Sequence, residues 1–233
     1  MDPVRASALV VLAKSPRPGR VKTRLCPPLS LSDAARLHEA FVRDTMTRMR
    51  ALADVELVCA YTPAEDRAFF EEACDGARLV PQAEGDLGDR LHAVFATLEA
   101  GGFGRVVAIG ADIPTLPLGH VRDAFAHLAD AAVDVVLGPA YDGGYYLIGL
   151  RTPRAELFAE MPWSTDRVFA ETWRRAEATG LRARALPAHA DVDTFGDLAE
   201  LAQAVREDPD AVPRTRAVLS ALGLVSSDRA RAP

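Results

Sequence analysis

The chain has 233 residues, 49% of them hydrophobic, and a formal net charge of −6. This length suits one α/β domain with a full core, so the sequence predicts a single domain over residues 1–225 and a disordered tail over 226–233. The acidic balance argues against non-specific binding of nucleic acid. No apolar run reaches the roughly 18 residues of a membrane span, and no segment near Met1 resembles a signal peptide. We therefore expect a cytoplasmic protein that binds neither membranes nor nucleic acid.

Predicted strands and helices alternate along the chain. Short apolar runs rich in Val and Leu predict strands at residues 8–13, 55–61, 106–110, 133–138 and 182–186. Helical periodicity follows Ser30 and Ser32, either of which can cap the first helix. Further helices are predicted at 64–73, 87–100, 118–129, 166–179, 195–206 and 214–222. The alternation predicts a single-domain, three-layer α/β/α fold with a mainly parallel mixed sheet.

A basic loop follows the first predicted strand. Pro16, Pro18 and Gly19 exclude a continuous helix there and favour a loop over the carboxyl end of the strand. The loop contains five cations and no acid, in a chain that is acidic overall, and Arg forks and mobile Lys charges suit several phosphates. The alternative is a solvated basic loop or a protein-docking patch. The cations are Lys14, Arg17, Arg20, Lys22 and Arg24.

Acidic residues follow two other predicted strands. Asp112 comes directly after the 106–110 strand, at the sheet edge where ligands collect. Its carboxylate can hold Mg²⁺ or Mn²⁺ bridging phosphates, or it can fix a turn. Asp191 and Asp193 alternate on an extended segment and can face one metal ion, although Asp193 or Thr194 can instead cap the next helix. Together with the basic loop, these acids predict a polyphosphate and metal centre.

A glycine-rich turn follows the 133–138 strand. Asp142 and Gly143 form a strong turn signal between extended segments. Gly143 and Gly144 let a ligand approach the backbone closely, and the bulky Tyr145 can wall a pocket. A plain hairpin with surface tyrosines explains the same residues equally well.

Trp163, Ser164 and Thr165 form the last candidate cluster. Trp163 can stack on a substrate, with the two hydroxyl residues beside it. The alternative is that Ser164 or Thr165 caps the following helix, and the residues by themselves favour this cap.

Five segments together resemble the selenodomain-associated transferase-1 family, also labelled arsenosugar-biosynthesis-type glycosyltransferases, of the GT-A-like superfamily. They read AKSPRPGRVKTRL, GADIP, GPAYDGGYYLIGL, MPWSTDRV and DVDTFGDL, and they extend from residue 13 to residue 198. The resemblance implies a sheet of the nucleotide-diphospho-sugar transferase type. It also implies that the loop after the first strand binds the nucleotide.

Two of these segments, KTRL and DVDT, also look like parts of 2-phospholactate guanylyltransferases and molybdenum-cofactor nucleotidyltransferases. By that resemblance Lys22 and Arg24 grip a triphosphate, while Asp112 and Asp193 hold Mg²⁺. The chain departs from sugar transferases at Gly110-Ala111-Asp112. Those enzymes commonly place Asp-x-Asp after the middle strand, and here one acid is missing, which favours nucleotidyl transfer.

The favoured prediction is Mg²⁺-dependent nucleotidyl transfer from a nucleoside triphosphate to a small phosphorylated acceptor, with release of pyrophosphate. The predicted catalytic residues are Lys22, Arg24, Asp112 and Asp142, with Asp142 as the base if the acceptor is a hydroxyl. The predicted substrate-binding residues are Lys14, Arg17, Gly19, Arg20, Gly143, Gly144, Tyr145, Trp163, Ser164 and Thr165. The alternatives are a glycosyltransferase that uses a nucleotide sugar and a nucleotide-binding module without turnover.

Overall fold

Seven strands form one mixed sheet across residues 6–225, the part of the chain that the computed structural model describes. The tail predicted at 226–233 lies outside the described residues. The strands are β1 (Ala6–Lys14), β2 (Val55–Thr62), β3 (Arg78–Pro81), β4 (Phe103–Gly110), β5 (Val135–Pro139), β6 (Tyr145–Leu150) and β7 (Ala183–Ala185). Their order in the sheet is β3-β2-β1-β4-β6-β5-β7.

The strand order reverses between β1 and β4. The chain builds outward from β1 through β2 to β3, and then returns to place β4 on the other side of β1. Only β6 is antiparallel to its neighbours within residues 6–225. In open α/β sheets, ligands bind outside the carboxyl ends of the strands at such a reversal. The fold therefore directs attention to the loops that follow Lys14 and Gly110.

Helices cover both faces of the sheet and match most of the predicted ranges. The bounds are α1 (Leu31–Met49), α2 (Arg67–Ala73), α3 (Leu87–Ala100), α4 (Leu118–Ala129), α5 (Val168–Ala178), α6 (Phe195–Glu207) and α7 (Pro213–Ala221). The ranges predicted for α3 and α4 are confirmed. Ser30 is the N-cap of α1, because its hydroxyl accepts from Asp33 N at 3.0 Å.

Two apolar layers enclose the sheet, which confirms the predicted three-layer fold. Leu9 and Val11 of β1 face one layer, with α1, α2 and α4, while Ala8 and Val10 face the other, with α3 and α5. All four side chains are buried, because a strand covered on both faces has no solvent side. A third apolar cluster joins α6 and α7 to the outer side of α1.

Some sequence predictions need correction. The strand β3 was not predicted, because it has only four residues, none of them fully buried. The favoured cap at Ser164 or Thr165 is wrong: α5 begins at Val168, and its N-cap position is Arg167. Ser164 instead has φ 62°, in a turn that precedes the helix. Among residues 6–225, no helix combines the length and the apolar character needed to cross a membrane.

Candidate active site

A cleft of about 650 Å³ opens at the carboxyl ends of β1 and β4. It lies at the strand reversal, where this fold is expected to bind a ligand. The predicted site residues that line it are Lys14, Arg20, Lys22, Arg24, Asp112, Tyr145, Trp163, Ser164, Asp191 and Asp193. The structure thus brings together the basic loop, both acidic segments and the aromatic cluster.

Lys22 lies at the centre of the charged part of the cleft. Its Nζ is 3.1 Å from Asp112 Oδ2 and 2.9 Å from Asp193 Oδ1, and its side chain is only 4% exposed. The local backbone explains this inward position. Lys22 has φ 49° and lies between the buried side chains of Val21 and Leu25, which anchor the loop to the protein.

Lys22 and Asp112 stabilise each other's charged forms. Burial by itself would lower the pKa of Lys22, but the negative charges of Asp112 and Asp193 outweigh burial and raise that pKa. Burial also opposes ionisation of Asp112, yet the charge of Lys22 and the contact with His38 lower the Asp112 pKa well below its usual range. The ammonium and the Asp112 carboxylate are therefore both charged at neutral pH.

His38 is a member of this site that sequence reasoning missed. It projects from α1 with Nε2 3.0 Å from the Lys14 carbonyl oxygen and Nδ1 3.4 Å from Asp112 Oδ1. The ring thus links the carboxyl end of β1 to the acid after β4. The sequence did hold a signal, because His38 precedes Val42 by one helical turn on the buried face of α1.

The start of α6 positions Asp193. Asp197 Oδ2 accepts from the backbone N–H groups of Thr194 at 2.6 Å and Asp193 at 2.9 Å, which fixes the first turn of the helix. Val192 N donates to the Asp112 carbonyl at 3.3 Å, which holds the two acidic segments together. The side chain of Asp193 therefore bonds to Lys22 and does not cap the helix.

Asp191 lines the same cleft in a different environment. Burial, followed by the nearby charges of Asp193 and Asp142, raises the pKa of Asp191 to about 6. Over the described range 6–225, no group of three or more His, Cys, Asp or Glu side chains is arranged to hold a metal ion. The assignment of Asp112, Asp191 and Asp193 as metal ligands stays a prediction.

Two of these carboxylates nevertheless fit a divalent ion that arrives with a ligand. Asp112 and Asp193 converge on one point, the position of Lys22 Nζ, and Asp112 Oδ1 is buried with no hydrogen-bond partner. Mg²⁺ commonly takes only one or two protein carboxylates and completes its shell with water and phosphate oxygens. The donor set is compatible with Mg²⁺ or Mn²⁺ on those terms.

Arg17 and Gly19 do not line the cleft. Arg17 forms ion pairs with Asp66 at 2.6 Å and Glu65 at 3.2 Å, across the neighbouring loop. Gly19 has φ +75° and makes the turn that returns the chain toward Lys22. Arg17 lines a second cavity of about 370 Å³, which shares Lys14, Arg20 and Arg90 with the cleft.

Most of the glycine-rich turn lies outside the cleft. Asp142 Oδ1 accepts from Gly144 N at 2.8 Å, and neither residue lines the cleft. Gly143 has φ +87°, and a Cβ there would overlap the backbone of Asp166, so it is protein backbone that approaches this glycine closely. Of the predicted residues in this turn, Tyr145 reaches the cleft.

Tyr145 and Trp163 form an aromatic wall. Their ring centroids are 6.4 Å apart with the planes at 78°, and both residues line the cleft. The Tyr145 hydroxyl and Trp163 Nε1 are buried without a hydrogen-bond partner. Thr165 does not line the cleft, and its hydroxyl donates to the Pro162 carbonyl at 2.7 Å. Ser164 lines the cleft beside Trp163.

The segment between β3 and α3 supplies cleft residues that sequence reasoning did not identify. Gln82 follows β3 and donates its side-chain amide to the Ala60 carbonyl at 2.7 Å. Arg90 on α3 donates Nε to the Gly85 carbonyl at 3.1 Å. Gln82 was missed because β3 was not predicted, whereas Arg90 lies on the predicted helix α3, where no local signal indicated the cleft.

Comparison with known proteins gives the family and the fold. Residues 45–165 match a family described as uncharacterized protein conserved in bacteria (DUF2064). A protein from Desulfovibrio desulfuricans G20, provisionally assigned as a nucleotide-diphospho-sugar transferase, has a solved structure similar to this chain. The TM-score is 0.86 and the identity 31%, over 93% of this chain and 95% of that one. No curated protein matches the sequence of this chain.

More distant solved structures share the fold. A CMP:2-keto-3-deoxy-manno-octonic acid synthetase complexed with CTP has a TM-score of 0.55 and 15% identity, over 87% of this chain and 99% of that one. A cytidylyltransferase from Leptospira borgpetersenii serovar Hardjo-bovis has a TM-score of 0.58 and 10% identity, over 96% and 98%. The sheet of the nucleotide-diphospho-sugar transferase type is therefore confirmed, while the narrower selenodomain-associated assignment stays a prediction.

Proposed function

The chain belongs to the DUF2064 family, and we propose that it is a metal-dependent nucleotidyltransferase. The proposed reaction moves a nucleotidyl group from a nucleoside triphosphate to a small phosphorylated acceptor. The observation that carries the proposal is the buried Lys22, held between Asp112 and Asp193 at the strand reversal. At this edge of the sheet, the cation can bind phosphate, and the two carboxylates can bind a divalent ion that the phosphate carries.

Unpaired cations around Lys22 support a polyphosphate ligand. Across residues 6–225, neither Lys14 nor Arg20 has an ion-pair partner, and both line the cleft. Arg24 is 68% exposed and lies 3.7 Å from Asp193, so its guanidinium remains accessible to a ligand. Arg90 adds a further positive charge from α3. Several cations at one cleft exceed what a single phosphate requires.

The chemistry needs positioned charge and no protein nucleophile. An oxygen of the acceptor phosphate forms a bond to the α-phosphorus, while the bond from that phosphorus to the bridging oxygen breaks and pyrophosphate leaves. Lys22, Arg24 and Arg20 stabilise the negative charge that grows on the leaving group. Asp112 and Asp193 would hold Mg²⁺, which supplies Lewis-acid stabilisation of the phosphate oxygens when bound.

The acceptor would lie toward the aromatic wall. Tyr145 and Trp163 offer flat apolar faces together with a hydroxyl and an N–H that have no partner in the protein. A phosphate acceptor is already ionised, so it requires no base. A hydroxyl acceptor would require one, and the predicted base, Asp142, would have to move because it does not line the cleft.

Glycosyl transfer from a nucleotide sugar is the second candidate. It is favoured by the provisional name of the Desulfovibrio protein, the relative with 31% identity. The acid after β4 favours nucleotidyl transfer, because Gly110 stands two residues before Asp112, where the Asp-x-Asp of sugar transferases has its first carboxylate. Lys22, Asp112 and Asp193 also argue against a module without turnover, since nucleotide binding alone does not require paired metal-binding acids.

Product analysis tests the proposal. The protein is incubated with Mg²⁺, each nucleoside triphosphate and a pool of small phosphorylated acceptors, and in parallel with nucleotide sugars. We expect release of pyrophosphate in the first reactions. Release of nucleoside diphosphate from a nucleotide sugar, with no pyrophosphate from any triphosphate, would favour glycosyl transfer instead.

A further inference from the structure

Every carboxylate oxygen of the proposed metal-binding pair faces a nitrogen of this chain. Lys22 Nζ contacts Asp112 Oδ2 at 3.1 Å and Asp193 Oδ1 at 2.9 Å. The other oxygens face His38 Nδ1 at 3.4 Å and Arg24 at 3.7 Å. Lys22 thus occupies one oxygen of each acid, and a divalent ion that takes those two oxygens must displace the ammonium.

The ammonium occupies the point on which both carboxylates converge. A divalent ion bound to both acids needs the same two oxygens that Lys22 now contacts, and Mg²⁺ requires them at about 2.0–2.1 Å. The ammonium and the ion therefore exclude each other sterically. They also repel each other because both are positively charged. Lys22 and Arg24 already balance the negative charges of Asp112 and Asp193, so an added ion would leave the site with excess positive charge.

If the Lys22 ammonium moves away from the two carboxylates, it needs another anion to replace them. Its side chain is 4% exposed, and a buried charge that loses its counter-ions is strongly destabilising. A nucleotide polyphosphate in the same cleft offers such a partner, since Lys14 and Arg20 of the same loop also line it. Lys22 can then bond to phosphate while the ion takes the carboxylates.

We propose that Lys22 blocks the metal site of the free protein, so that a divalent ion enters together with the nucleotide and not before it. This inference rests on the proposed function for the identity of the ligand. It assigns Lys22 a second role besides phosphate binding. The residue makes ion and nucleotide binding mutually dependent, and it keeps the free protein from binding divalent ions.

Binding of Mn²⁺ to the nucleotide-free protein tests this role. The full chain is titrated with Mn²⁺ and free ion is measured by electron paramagnetic resonance, for wild type, Lys22→Met and Arg20→Met. Arg20→Met is the matched control, because it removes one positive charge from the same loop without a contact to either acid. We expect Lys22→Met to bind one Mn²⁺ at least about tenfold more tightly than the other two proteins.

A double variant locates the ion. Adding Asp193→Asn to Lys22→Met should remove the gained affinity, since that carboxylate is one of the two proposed ligands. Equal Mn²⁺ affinity of wild type and Lys22→Met, or an equal gain in Arg20→Met, would overturn the proposal.

Coupling between the two ligands provides a second measurement that does not depend on one variant. A non-hydrolysable triphosphate should raise the Mn²⁺ affinity of the wild type at least about tenfold, and by linkage Mn²⁺ should raise its affinity for the triphosphate equally. A wild type that binds the triphosphate, yet binds Mn²⁺ equally well with and without it, would overturn the proposal, even if Lys22→Met does not fold. In Lys22→Gln the triphosphate should raise the Mn²⁺ affinity by a smaller factor than in the wild type. Free triphosphate also chelates Mn²⁺ in solution, but this contribution is the same for both proteins and cancels in the comparison.

The result separates this inference from the proposed function. If Lys22→Met gains Mn²⁺ affinity while the wild type binds no triphosphate or nucleotide sugar, the blocking role stands and the proposed function fails. If the wild type releases pyrophosphate yet binds Mn²⁺ tightly without nucleotide, the blocking role fails and the proposed function stands.

Discussion

Lys22 and Asp193 are 171 positions apart in the chain, yet the Lys22 ammonium donates to Asp193 Oδ1 over 2.9 Å. The contact joins the loop after β1 to the start of α6, and Asp112 brings the end of β4 to the same ammonium. The charged centre therefore exists only in the folded chain. Substitutions of Lys22, Asp112 or Asp193 should therefore reduce activity while the sheet remains folded.

Asp112→Asn should abolish transfer and leave the fold intact. The amide keeps the size of the side chain but loses the charge that would hold the divalent ion, so we expect kcat to fall by at least about 100-fold. Steady-state kinetics at saturating Mg²⁺ provide the measurement, with circular dichroism to check folding. Asp130→Asn is the control, because Asp130 lies beyond the end of α4 and an Asn can still accept from Ala132 N. Full activity of Asp112→Asn would contradict the metal-binding role.

Arg24→Ala should weaken triphosphate binding by about 1.5–3 kcal/mol, the scale of hydrogen bonds to charged groups. The loss should be smaller for a monophosphate, which has fewer oxygens within reach. Arg17→Ala removes the same charge from the same loop, but Arg17 is engaged with Asp66 and Glu65 and should have little effect. Calorimetry checks both variants. A similar loss of affinity in the two variants, or for the triphosphate and the monophosphate, would show that the loop binds nucleotides only as a non-specific basic patch.

Gly143→Ala should destabilise the protein far more than Gly102→Ala. Both glycines have positive φ, at 87° and 91°, so both substitutions carry backbone strain of about 1 kcal/mol or more. A Cβ at Gly143 also overlaps the backbone of Asp166, whereas a Cβ at Gly102 meets no atom within 4 Å. We expect a loss of at least about 3 kcal/mol at Gly143. Urea unfolding measures the difference, and equal losses would show that the turn adjusts without cost.

Asp44→Ala should loosen α7 from α1. The buried Asp44 carboxylate accepts from Thr215 N at 2.7 Å and Arg214 N at 3.3 Å, so a residue of α1 caps the first turn of α7. Its loss should cost about 3 kcal/mol, and Asp44→Asn should cost about half as much because the amide oxygen can still accept. Chemical denaturation compares the two variants. A loss below about 0.5 kcal/mol for Asp44→Ala would show that packing alone holds α7.

Local signals explain which elements could be predicted from the sequence. The bounds of α3 and α4 follow from apolar periodicity together with Asp86 and Pro117, which mark their starts. β3 gave no such signal, because its four residues are only partly buried and lack alternation. Gln82, which follows β3, was missed with it.

Contacts between distant parts of the chain explain which features of the site could not be predicted from the sequence. Lys22 and Asp112 could be predicted because each follows a recognisable strand, but their shared contact with Asp193 depends on how α6 packs. The partner of His38 is likewise set by packing between α1 and β4. The local sequence around Arg17 does not reveal that its anion is Asp66 and not a phosphate.

The fate of the α-phosphate tests the central claim most directly. Nucleoside triphosphates labelled at the α-phosphorus are incubated with Mg²⁺, the protein and the pool of phosphorylated acceptors, with Asp112→Asn as the inactive control. Nucleotidyl transfer predicts that the label enters a new product and that one pyrophosphate is released for each label transferred. No transfer of label from any triphosphate, together with release of nucleoside diphosphate from a nucleotide sugar, would contradict the account.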